Sequence, residues 1–193
     1  MKFIDLYDFS NNLDAEYTSS KLLILEVEKR HCNVDKILLY SVDIEKSVSL
    51  GHIKLRSYRQ SPYGDMLNEA SIRYDKTLNR CWQRLVVCKE LMHVFDNKDE
   101  RVDTDDKFKK LMSEFDSPPL AADSSPMYQS ELRAQWMAIA CLVPRRLKNF
   151  YTKEFLNGNM TDQVIATKLK IPKEYVSSFV SPYYDVVLEQ LLA

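Results

Sequence analysis

The chain has 193 residues, 45% of them hydrophobic and 28% charged, with a formal net charge of −1 at pH 7. That length suits one domain with a full core, and the near-zero charge gives no global field to draw the chain onto nucleic acid or a membrane. Only 3 glycines argue against Gly-rich phosphate loops and a turn-dense all-β fold, and neither GxGxxG nor GxxxxGK[ST] occurs.

In chain order, the pattern from Asp14 to Cys32 predicts an amphipathic helix with Leu22, Leu23, Ile24, Leu25 and Val27 on its apolar side. Lys36–Val42 and Ser49–Tyr58 alternate and are rich in β-branched and aromatic residues, as strands are. Ser61–Asp65 is a turn and Ala70–Asp75 a further short strand. A long helix follows over Thr77–Asp96, then a charged helix over Asp103–Phe115 and a Pro-rich loop over Asp116–Pro126. Helices are expected over Tyr128–Val143 and Arg145–Leu156, the latter ending where Gly158 can take a left-handed cap. The tail from Thr161 is helical, broken at Pro172 and Pro182. Helix, a few strands, then mostly helix is an α+β order.

The four cysteines, Cys32, Cys81, Cys88 and Cys141, form no CxxC pair, which argues against a zinc ribbon. Cys88 and Cys141 sit in apolar helical runs, where free Cys behaves as a small hydrophobe. With no secretory signal and no apolar run of spanning length, the expectation is a reduced, cytoplasmic protein without a membrane partner.

The run "VVCKELMH" (Val86–His93) places charges in a helix whose apolar residues cover nearly the whole circumference. Such a helix is buried, and a buried charge must be paired, neutralised or bound to metal. Lys89 and His93, four apart, share a face, with Glu90 beside both. The spacing is that of H-E-x-x-H, in which two His bind zinc and the Glu activates a bound water, but with Lys89 in place of the first His. Alone, this is weak, and an ion pair beside a satisfied histidine is the better explanation of it. A second stretch, "ELRAQWMAIACLVP" (Glu131–Pro144), puts Glu131, Ala134, Gln135 and Ala138 on one face. Small residues there let that helix approach the first closely enough for Glu131 to reach the polar cluster.

With these two stretches the chain resembles the ImmA/IrrE family of metallopeptidase-like proteins. That family shows a strand, an Arg-rich approach, "AHELGH", then "E-x-x-A-N-x-F-A-A-x-L-L-M-P". The matching pieces are "ASIRYDKTLNRCWQRLVVCKELMH" and "ELRAQWMAIACLVP". The resemblance spans about residues 15–180 in element order and is specific in the two motifs. It implies a zincin-like α+β domain with a small N-terminal sheet, a buried motif helix and a helical C-terminal part. It makes Glu90 the candidate catalytic base and His93 and Glu131 candidate metal ligands. The departures are Lys89 for the first ligand His, Met92 for the Gly and Gln135 for Asn. A protonated Lys has no lone pair for zinc, and two protein ligands remain where catalytic zinc takes three. Cys88 is rotated away from His93, and nothing brings His31 or His52 near. Lys89 is therefore expected to sit in the vacant metal position as the positive charge that Glu90 and Glu131 lose with the metal.

Residues 1–158 are read as the zincin-like domain and 159–193 as a helix-turn-helix-like tail packed on it. Ile165, Ala166 and Leu169 form its first helix, Ile171-Pro172 its turn, and Tyr175, Val176 and Phe179 the next. Seven basic residues face three acidic ones between Arg145 and Tyr175, which could suit phosphates. The hairpin nonetheless offers few base-reading side chains, so packing is the expectation. Arg73, Arg80 and Arg84 are read as a solvated face or as partners of the acidic segment 99–106, and Leu55–Asp65 as an exposed hairpin or a peptide-receiving edge. Three functions follow. The first is an inactive metallopeptidase-like protein without a cofactor that binds a protein partner, such as a DNA-binding repressor of phage or stress regulation. The second is an active zinc endopeptidase with a replacement ligand, cleaving a repressor. The third is a DNA-binding regulator acting through the tail.

Overall fold

The computed structural model describes residues 1–31, 33–46 and 48–193, so the predicted helix end at Cys32 lies outside the described residues. The chain opens with α1 (Phe3–Asn11), absent from the sequence expectations although Phe3, Leu6, Tyr7 and Ser10 are buried at helical spacing. Then comes α2 (Ser20–Arg30), which starts six residues later than the predicted Asp14. The skipped segment has another use: the Thr18 carbonyl accepts from Arg84 Nε at 2.8 Å, and the Tyr17 ring centroid lies 3.6 Å from Lys170 Nζ.

Three strands follow: β1 (Lys36–Val42), β2 (Gly51–Arg59) and β3 (Met66–Asp75). They form one mixed sheet in the order β1-β3-β2, with β3 parallel to β1 and antiparallel to β2. β3 begins four residues before the predicted Ala70, because Met66 to Glu69 pair with Arg59 to Arg56 across the 60–65 turn. Its inner residues Ala70 and Ile72 are fully buried.

The motif helix α3 (Arg80–Met92) packs on β2 and β3. It is shorter than the predicted Thr77–Asp96 at both ends. Asp75 Oδ1 accepts from the Thr77 amide at 2.7 Å, and the Asn79 side chain caps the helix by accepting from Cys81 and Trp82. Residues His93–Phe95 tighten into a 3-10 turn. A carbon added at Gly51 would lie 2.4 Å from Val86 Cγ1 and 2.9 Å from the Arg73 carbonyl. Gly51 thus lets the sheet meet α3 one turn from Glu90. Gly51→Ala is expected to cost about 1–3 kcal/mol, read as a lower urea midpoint at unchanged m-value.

The remaining helices are α4 (Asp105–Asp116), α5 (Pro126–Leu142), α6 (Arg145–Leu156), α7 (Asp162–Leu169), α8 (Val176–Val180) and α9 (Tyr183–Leu192). Gly158 takes the left-handed conformation, φ +72°, after α6. Ser125 caps α5, accepting from the Tyr128 amide at 3.2 Å, and the Glu114 carboxylate of α4 accepts from the Ser125 amide at 2.9 Å. Small Ala134 and Ala138, both buried, lie where α5 meets α3, and Cys88 Sγ is 3.9 Å from the Ala138 carbonyl. Among the described residues the fold is α+β: nine α-helices and one small sheet, with no helix long and apolar enough to cross a membrane.

The tail shares the main core: Ile165, Leu169, Val176 and Phe179 are buried in the same cluster as Leu91 and Leu142. Arg84 fastens it. From α3 its guanidinium donates to the carbonyls of Thr18, Leu169 and Lys170. The solvated face or acidic partner expected for Arg84 is therefore replaced by a set of backbone carbonyls. Arg73 and Arg80 are exposed, and the arginine that meets the acidic segment is Arg133, 2.8 Å from Glu100.

Candidate functional site: a lysine between two carboxylates

The polar cluster forms where α3 crosses α5. Lys89 Nζ donates to Glu90 Oε1 at 3.2 Å and to Glu131 Oε2. The side chains are 20%, 4% and 19% exposed for Lys89, Glu90 and Glu131, so the ammonium is held largely out of water. Burial opposes its charge, but Glu90 and Glu131 outweigh that and raise its pKa further above the usual lysine range. Lys89 is thus a fixed cation, not a base.

His93 completes the group. Its Nδ1 lies 2.7 Å from Asp96 Oδ2, and an acceptor there places a proton on Nδ1. Its buried Nε2 lies 3.4 Å from Glu131 Oε1 without the alignment of a hydrogen bond. Asp96 also accepts from Ser130 Oγ at 2.7 Å and from Arg133 at 3.1 Å. Arg133 binds Glu100 as well, so two carboxylates share one guanidinium. Sequence reading brought Lys89, Glu90, His93 and Glu131 to this place but missed Asp96, Ser130, Arg133 and Glu100. The available signals were Asp96 at i+3 from His93 and Ser130 beside Glu131. Cys88 is turned away, its thiol pushed up to about 12 by burial. His52, at the head of β2, is close enough to feel the Glu90 charge, and His31 lies elsewhere, edge-on to Phe95 at 5.4 Å between ring centroids.

Burial presses the His93 pKa down, but the Asp96 hydrogen bond and the Glu131 and Glu90 charges overcome it, and the net shift is upward from 6.5. The folded state therefore holds the His93 proton more tightly than the unfolded chain does. That contribution to stability is fully present below pH 6.5 and fades as pH rises through the elevated folded value. His93→Gln is expected to flatten the fall of stability above pH 6.5. Denaturant midpoints at half-unit pH steps check this, and a variant that loses stability equally at every pH contradicts it.

An ImmA/IrrE-type zinc would require His93, Glu131 and a third donor. Here Glu131 is bound by the Lys89 ammonium, and a protonated lysine offers no lone pair as a further donor. The residues present do not fit a zinc ion. The His93 ring is oriented by the Asp96 carboxylate, an arrangement also used for metal-ligand histidines, and the cation beside it is Lys89. Compared with family models, curated proteins and solved structures, the chain matches none.

Proposed function

We propose that the chain is a zincin-like, ImmA/IrrE-type protein that has exchanged its catalytic metal for Lys89 and acts by binding a protein rather than by cleaving one. One observation carries the reading: the ammonium bridging Glu90 and Glu131, with His93 turned toward the same Glu131. A chance ion pair needs one carboxylate. Here a cation meets both acidic groups of the two resemblance motifs, beside the histidine of the first. On this reading Glu90 is a charge partner of Lys89 and is not a base. The partner class is a DNA-binding repressor in phage or stress regulation, which the family's active members cleave.

The tail is read as packing rather than as a DNA reader. Its second helix, α8, has only 5 residues and buries Val176 and Phe179, leaving a short outward face.

The test is metal analysis of purified, tag-free protein after mild dialysis, paired with incubation of wild type and Glu90→Gln with candidate repressors. The expected result is well under one equivalent of any transition metal, with repressor bound intact and equally by both proteins. Near-stoichiometric zinc, with cleavage lost in Glu90→Gln, overturns the proposal in favour of a live endopeptidase.

A further inference from the structure

Asp96 also lines a second feature, a cavity of about 440 Å³. The start of α1, the 3-10 turn after α3 and the loop to Arg101 surround it. Its titratable lining is the Met1 α-amino group, Lys2, His31, Asp96, Arg101 and Arg133. Four cationic groups thus face one carboxylate, in a chain whose overall charge is slightly negative.

Asp96 does not neutralise them all, because His93, Ser130 and Arg133 already share it. Arg133 is matched by Asp96 and Glu100. Arg101 is different. Its Nη2 donates only to the backbone carbonyl of Asp96, at 3.3 Å, and its Nε is buried with no acceptor. Among the described residues no carboxylate pairs with Arg101. A half-buried guanidinium with no carboxylate partner keeps a charge that an incoming anion would pair with.

His31 adds a neutral donor. Burial, then the positive charges of the amino terminus and of Arg101, keeps its pKa below 6.5. Its Nδ1 accepts from the Asn33 amide at 3.2 Å, so the ring proton sits on Nε2. The remaining walls include Phe3, Phe95, Met137 and Leu191. An uncompensated arginine, a neutral imidazole donor and apolar walls together match one ligand chemistry.

We infer that this cavity binds a small organic carboxylate, its oxygens on Arg101 and His31 and its apolar body against Phe95 and Met137. The volume admits such a molecule, and a bare inorganic anion would leave the apolar walls without a contact.

The test is a titration of uniformly ¹⁵N-labelled wild-type protein with sodium benzoate, and separately with inorganic phosphate at matched ionic strength. Saturable benzoate shifts confined to amides around Asn33, Val94–Asn97 and Arg101 are expected, with affinity falling about tenfold or more in Arg101→Gln. Leu191→Trp, which narrows the cavity from another wall, is expected to weaken benzoate without altering the spectrum elsewhere. No saturation by about 20 mM, or shifts centred away from these residues, overturns the inference in wild type alone. So does equal affinity in a folded Arg101→Gln. Phosphate binding there while benzoate does not overturns the carboxylate assignment.

Discussion

Lys89→Met is expected to destabilise the protein by about 3 kcal/mol at pH 7, the scale of removing one partner from a buried ion pair. Methionine keeps most of the aliphatic stem, so packing against α5 changes little. What disappears is the cation between Glu90 and Glu131. Glu90 is the more deeply buried carboxylate, and its charge is then faced by Glu131 with only His93 to offset both. One carboxylate must take up a proton or turn to water. Two consequences separate this from a packing defect. The deficit shrinks toward pH 5, where a destabilised carboxylate is readily protonated. Adding Glu131→Gln to Lys89→Met restores about half or more of the loss, since removing both partners costs less than removing one. Urea denaturation of the two single variants and the pair checks this. Additive losses would mean that Lys89 and Glu131 do not depend on one another.

Lys89→His is expected to convert the cluster into a zinc site. The line then reads H-E-L-M-H, with two imidazoles one helical turn apart and Glu131 freed as the third donor. His93 is already oriented by Asp96 at 2.7 Å, so half of the outer support is in place. The variant purified with zinc should carry about one equivalent. Zinc at 100 times its dissociation constant should raise stability by about 2.7 kcal/mol, and the wild type should show neither effect. Failure of a folded Lys89→His to take up metal would mean that α3 and α5 do not cross at a metalloprotease spacing, and would count against the zincin-like reading itself. Hydrolysis need not return with the metal.

How far the amino-acid order discloses this molecule depends on the range of the interactions. β1, α6 and the tail breaks follow from local rules, and their limits match within a residue or two. The β1-β3-β2 order does not, since no local pattern tells that the third strand inserts beside the first. Asp14–Ser19 reads as helix because its local preference permits it; the competing use of Thr18 comes from Arg84, far along the chain. The Lys89, Glu90, His93 and Glu131 set was legible because helical spacing fixes which side chains share a face, and because Ala134 and Ala138 advertise a close crossing. Asp96 was hidden inside an overextended helix prediction. Arg101 carries no signal at all: its distinction is a partner it lacks, which only three dimensions reveal.

Arg84 reaches one residue near the start of the chain and two near its end from the helix that carries the lysine cluster. The C-terminal hairpin is therefore not a cassette. A recombination event that joined residues 1–158 to a foreign tail would leave a guanidinium facing the wrong surface and uncover the seats of Phe179 and Leu169. Descendants of this chain can vary the tail's outer residues freely, but they must inherit its inner ones together with the motif helix, as one unit.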